Sequence, residues 1–216
     1  MNTDSSRDSA PVPAPVWDQP AIDAVLSQVE RLEFGEVLET LGRGFPVNAA
    51  STGQRLRLHA VVGTLHNSPP PGSMEVLTRA LHLGADPNMR EGRDGVSLLS
   101  TAAVHGTAPV LRVLLAAGAS AGASACGTGR ADITPLFSLA WSPVGDDLLE
   151  RATVLLEQQD LDVDAQFRGI TAAEFADAMG QADLAALIRQ VRHFPHVCTH
   201  LHELQRSQDE DRVVGE

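Results

Sequence analysis

Lysine and tyrosine are both missing from this chain, and cysteine occurs only at Cys126 and Cys198. Every one of the 16 basic residues is therefore Arg, while Ile and Asn are scarce. The missing residues share AT-rich codons, so a GC-rich genome accounts for the pattern. A second reading is an effector that escapes ubiquitination in a eukaryotic cytosol by carrying no Lys. Two cysteines without a C-x-x-C pair cannot build a disulfide framework or a four-sulfur metal site. A reducing compartment is predicted. Aromatic residues are only 4% of the chain, although hydrophobic residues reach 43%. A core of Leu, Val and Ala follows, which suits thin, closely packed helices better than a β-sandwich. Positive charge is short as well: 16 basic against 28 acidic residues leave a net charge of −12. That excludes general affinity for nucleic acid or an anionic membrane. No run approaches the ~18 apolar residues that span a bilayer. No apolar stretch follows the N-terminal charges, so no signal peptide is expected and the chain reads as cytoplasmic.

What the chain does contain is a phrase used several times. "DGVSLLSTAAVHGTAPVLRVLLAAGAS" (94–120) shares its frame with "ADITPLFSLAWSPVGDDLLERATVLLEQQD" (131–160). Further copies run over 56–65 with 74–88 and over 168–191, and 34–49 matches the second half alone. Ser97, Thr134 and Thr171 fall 37 residues apart. A fixed period of this size marks a stacked-repeat protein. Each part of the frame has a physical reason. Thr134 can cap a helix by accepting a backbone N–H. Pro135 then takes the first helical position, where its missing donor costs nothing. Ala102 and Ala103 let helices approach closely. Val110, Val113 and Leu114 make one apolar stripe, and Gly118 stops the helix in a left-handed conformation.

These motifs resemble the ankyrin-repeat family. The family's D-G-x-T-P-L-H-x-A-A-x-x-G is matched by Asp94-Gly95-Val96-Ser97-Leu98-Leu99, by Ala102-Ala103 and Gly106, and by Thr134-Pro135-Leu136-Phe137. Its L-L and G-A-D-x-N are matched by Leu114-Leu115, by Gly118-Ala119 and by Gly84-Ala85-Asp86-Pro87-Asn88. Departures occur at Leu56-Arg57-Leu58-His59 and at Asp160-Leu161-Asp162-Val163-Asp164, and 66–73 and 142–149 lengthen two loops. The resemblance covers roughly 20–192. The expected fold is all-α: an ankyrin-like solenoid of about five helix-turn-helix repeats joined by short hairpin tips. It occupies 18–192, between a disordered tail at 1–17 and a capping helix at 193–206, with an acidic disordered tail at 207–216. End repeats need solvent-facing acids. Glu30, Glu33, Glu36 and Glu39 supply them at one end, and Glu174, Asp177 and Asp183 at the other.

Reactive constellations are few. Gly127-Thr128-Gly129 lacks the following G-K-[ST] of a phosphate loop and reads as a hairpin loop. The acids Asp146-Asp147 and Asp162/Asp164 lack the six or more oxygens and the Gly turn that Ca²⁺ needs. His193, His196, Cys198, His200 and His202 cluster in sequence, but Zn²⁺ wants four converging ligands and one helix offers two faces. Either this segment binds a metal, or it is a capping helix whose Val197, Leu201 and Leu204 cover the end of the stack. No cofactor and no catalytic activity are expected.

Binding is the stronger expectation. The tip loops carry Arg55, Arg90, Arg93, Arg130 and Arg168, and Arg forks suit carboxylate recognition. Counting from each helix cap gives an open row along the first helices. It holds Thr101, Val104 and His105, then Ser138, Trp141 and Ser142, then Phe175, Ala178 and Met179. Ala102, Ala103, Leu139, Ala140 and Ala176 point into the stack instead. Trp141 is either a large aromatic anchor on the open row or local core folded under the 142–149 loop. The expected partner is another protein with an acidic patch, met by a monomer, with no nucleic acid and no membrane. The other functional class is a secreted effector or immunity-type inhibitor that blocks a partner enzyme.

Overall fold

The structure, a computed structural model, describes residues 17–48, 58–66, 68–91, 95–122, 133–142, 145 and 147–193. Ten helices and two small hairpins make up these residues, and the fold is mainly helical. The helices are α1 (Gln19–Glu30), α2 (Phe34–Gly42), α3 (Leu58–Gly63), α4 (Ser73–His82) and α5 (Leu98–His105). They continue as α6 (Ala108–Ala116), α7 (Pro135–Trp141), α8 (Leu148–Leu156), α9 (Ala172–Ala178) and α10 (Ala182–His193). Strands β1 (Arg90–Glu91) and β2 (Val96–Ser97) pair antiparallel, with Arg90 opposite Ser97. Strands β3 (Gln166–Phe167) and β4 (Ile170–Thr171) repeat that arrangement, with Gln166 opposite Thr171. No helix among the described residues is long and apolar enough to cross a membrane.

The three hydroxyl residues spaced 37 apart each start a helix. Ser97 Oγ accepts from the Ser100 amide at 3.1 Å, and Thr134 Oγ1 from the Phe137 amide at 3.2 Å. Thr171 forms a full capping box, accepting from the Glu174 amide while Glu174 Oε2 accepts from the Thr171 amide at 2.8 Å. Each cap satisfies one of the amides that a helix start leaves without an intrahelical partner. At the other end of a helix pair, Gly84 and Gly118 take φ values of +89° and +94°. Their left-handed turns let Ala85 and Ala119 donate back to Ala80 and Leu114, which closes the helix ends.

Odd-numbered helices pack one on the next in a row, and each pairs with the even-numbered helix that follows it. α3 packs between α1 and α5, α5 between α3 and α7, and α7 between α5 and α9. Among the even-numbered helices α2 meets α4, and α8 lies between α6 and α10. One continuous core runs through the helix pairs, from Ile22 to Val191. Ala102, Ala103, Leu139, Ala140 and Ala176 are all fully buried, as the helix count predicts, and the small alanine side chains permit the close approach of α5, α7 and α9. Of the α6 stripe, Val110 and Leu114 are buried and Val113 is half-buried, with Leu111 completing the covered face. Glu30, Glu36 and Glu39 at one end and Glu174, Asp177 and Asp183 at the other are exposed. Glu33 is half-buried at the start of α2. On the last pair Arg189 bonds Asp177, and Arg192 meets Asp164 at 3.0 Å.

Side chains tie each connecting loop to the next. Asn48 donates to the Gly84 carbonyl and accepts from the Asp86 amide. Asn88 does the same with Gly118 and Ser120. At the corresponding place in the third loop the chain has Gly122, and the direction reverses. There Asp160 Oδ2 accepts from Ser120 Oγ at 2.6 Å and from the Gly122 amide at 3.2 Å. A Cβ at Gly122 would overlap the Asp160 carbonyl oxygen, so only glycine fits.

Partial burial pushes the Asp160 carboxyl up, but the Ser120 hydroxyl and the amides of Gly122, Asp160 and Ala121 outweigh it and hold its pKa below the ordinary value. A depressed folded pKa contributes stability above the unfolded value, about 3.9, and loses it as pH falls through the folded one. Asp160 is exposed and solvent screens much of this, so Asp160→Asn is expected to be less stable than wild type at pH 7 by only about 0.5 kcal/mol or less. Urea unfolding across pH checks this: the gap should close below about pH 4, and a gap that persists in acid would assign the loss to packing.

Candidate functional site

Between α5 and α7 lies an open depression of about 220 Å³. Its walls are Thr101, Val104 and His105 from α5 and Ser138 and Trp141 from α7. Val96 and Ile133, each immediately before a helix cap, and Ser100 complete the lining. Five residues predicted on the open row therefore meet around one groove. Its surface is almost wholly apolar, and two of its three hydroxyls are engaged with Ser97. Thr101 Oγ1 donates to the Ser97 carbonyl at 3.3 Å, and Ser100 Oγ accepts from Ser97 Oγ at 2.9 Å.

Trp141 is 59% exposed, the most open large apolar side chain described. Of the two places open to it in the sequence, the structure puts it on the surface. Its indole is braced from one side: the Phe175 ring lies 5.6 Å away, tilted by 33°. Phe175 in turn stacks on buried Phe137 at 4.7 Å, and Phe137 meets Phe167 edge-on at 5.1 Å. Held this way, the indole has little freedom to lose on meeting a partner. Phe175 is half-buried in that brace, while Met179 is 50% exposed beyond it.

Two expected row members are buried. Ser138 is only 6% exposed, because its small side chain sits low between α5 and α7, although it still lines the groove. Ser142 is 2% exposed and leaves the row altogether. The α7 helix stops at Trp141, and Ser142 takes extended backbone with ψ 143°, so helical phase no longer sets its direction. Its hydroxyl donates to the Val104 carbonyl at 2.9 Å. Beside it Arg151, also buried, donates from Nη1 to the Ala103 carbonyl at 2.7 Å and to Ser142 Oγ at 3.2 Å. Gln181 Nε2 donates to the Ser142 carbonyl at 2.8 Å. This polar knot fixes the α5 end of the groove relative to α7 and α8.

The tip arginines divide. Arg90 is exposed and donates from Nη1 to the Gly95 carbonyl at 3.1 Å, one residue before Val96 of the groove. Arg168 sits in the β3–β4 turn with φ +53°, beside Gly169 at +82°, and its guanidinium lies 5.3 Å over the Phe167 ring. Two consecutive positive φ values make the tight turn that matches a twisted hairpin. Arg55, Arg93 and Arg130 lie outside the described residues, as do Cys126 and the segment from Phe194 through His202. Among the described residues no three His, Cys, Asp or Glu side chains could hold a metal together.

Val96, Ile133 and Ser100 belong to the groove without having been singled out in sequence. A signal exists for two of them: Val96, Ile133 and Ile170 each precede a cap, at Ser97, Thr134 and Thr171. A β-branched residue at that repeated phase is partly open in all three copies, 37% for Val96 and 39% for Ile170. No protein-family model matches this chain, and no curated protein matches it.

Proposed function

We propose that this chain is an ankyrin-like solenoid of about five repeats that acts as a binding module for another protein, rather than as an enzyme. The bonds between helix pairs support the repeat reading. Asn48 reaches Asp86 across 38 residues, His59 reaches Val96 across 37, Ser142 reaches Val104 across 38 and Gln181 reaches Ser142 across 39. These separations match the spacing of the helix caps. Each pair of helices covers a face that its neighbour would otherwise leave in water.

One observation carries the binding reading: the exposed, braced indole of Trp141 beside an apolar groove. Aromatic side chains seated next to a desolvatable pocket dominate interface energies, and truncating one costs roughly 2 kcal/mol or more. Trp141→Ala is expected to weaken partner capture from the native cell about 30-fold. Its stability should stay within about 1 kcal/mol of wild type, since the indole is mostly in solvent. Quantitative affinity purification beside a thermal melt checks both. Undiminished capture by a folded variant would place the binding surface elsewhere, and a collapsed melt would make Trp141 part of the core.

A further inference from the structure

The groove between α5 and α7 also says something about what enters it, if the protein-binding reading above holds. We propose that it takes one large apolar side chain from a partner protein, with a carboxylate of the same partner segment reaching Arg90. The volume, about 220 Å³, exceeds the roughly 150 Å³ cavity that holds a benzene. One Leu, Met or Phe side chain fits; a whole helix does not. Most of the lining is apolar and the Thr101 hydroxyl is given to the Ser97 carbonyl, so a polar group would lose its water for at most the small hydroxyls of Ser100 and Ser138.

Charge around the groove selects the flanking residue. Among the described residues no Asp or Glu lines it, and His105 is the titratable side chain that does. Beside Val96 of the lining, the exposed guanidinium of Arg90 bonds the carbonyl of the preceding residue, Gly95. An Arg fork of five N–H donors with one given to a carbonyl can still meet a carboxylate side-on. In a chain of net charge −12, a cation beside its apolar groove favours an acidic partner segment locally while the rest of the surface repels it. Specificity follows from that opposition.

Selection of random dodecapeptides displayed on phage, against the full chain, tests the assignment. Enriched sequences are expected to carry a Leu, Met or Phe within four positions of an Asp or Glu. Synthetic versions should bind at least tenfold more weakly to Trp141→Ala and three- to tenfold more weakly to Arg90→Glu. Peptides that need Trp141 but lack an acid, or ignore Arg90→Glu, would overturn the carboxylate assignment and leave the groove as a protein site. Peptides indifferent to Trp141→Ala, or no enrichment at all, would overturn both. Enriched sequences matching 194–216 would give the groove to the chain's own C-terminal residues. A Trp141-dependent rise of mass with concentration in sedimentation would give it to a second copy. Either result removes the foreign partner.

Discussion

Arg151→Met is expected to lower stability by about 3 kcal/mol, a fall of roughly 6–12 °C in Tm for a chain of this size. Methionine keeps most of the stem volume, so the loss isolates the guanidinium. That group is 4% exposed and is the shared partner of three segments. It donates to the Ala103 carbonyl in the last turn of α5, where helix geometry supplies no amide, and to Ser142 Oγ just past α7. Removing it leaves buried acceptors facing a methyl group. Burial lowers the Arg151 pKa and Asp147 partly offsets this, yet an arginine stays charged throughout. The loss should therefore be the same at pH 5 and pH 8. Asp147 contributes less. Its Oδ1 lies 3.1 Å from Arg151 Nε, but Nε and Asp147 Oδ2 both lack a well-aligned hydrogen bond, so proximity of charge rather than a directed bond joins them. Asp147→Asn is accordingly expected to cost under about 1 kcal/mol. Urea unfolding of the two variants decides: equal losses would move the energy from the carbonyl contacts to the ion pair.

The helix starts and stops of this chain are legible because their causes are local. Ser97, Thr134 and Thr171 act on amides three residues away, and Gly118 acts on its own φ. The stack-facing alanines are legible for the same reason: one helix sets their phase. Reading fails where a helix ends. The α7 count carried through Ser142 puts it on the open row, but the backbone has already turned there. Arg151 stands in the sequence as a polar residue of an amphipathic helix, and Gln181 as a polar residue just before one. Their burial depends on carbonyls 48 and 39 residues away, which no local pattern encodes. Gly122 reads as one glycine of a Gly/Ala/Ser-rich loop, and its necessity appears only when Asp160 is seen crossing beside it. Trp141 is the intermediate case: its phase was readable, but the choice between surface and core rested on the Phe175 brace.

That brace depends on Phe137, and Phe137→Ala should be among the most damaging substitutions in the protein. The ring is 2% exposed and lies between α7, α9 and β3, edge-on to Phe167 and stacked on Phe175. Truncating a buried Phe costs about 3–5 kcal/mol through lost transfer energy and the cavity left behind. Against a typical total of about 5–15 kcal/mol, the variant is expected to lose a large share of its stability, which urea titration would show. Phe137→Leu separates fold from site. It refills much of the space and should cost about 1–2 kcal/mol, so the chain stays folded. It removes the ring on which Phe175 stacks, however, and Phe175 is what steadies Trp141. An indole left free to turn must be ordered again on binding, which costs about 0.5–1.5 kcal/mol. Folded Phe137→Leu should therefore bind groove-dependent peptides roughly two- to tenfold more weakly, although residue 137 lines no part of the groove. Full affinity in that variant would mean that α7 alone orients Trp141 and that the aromatic row serves the core.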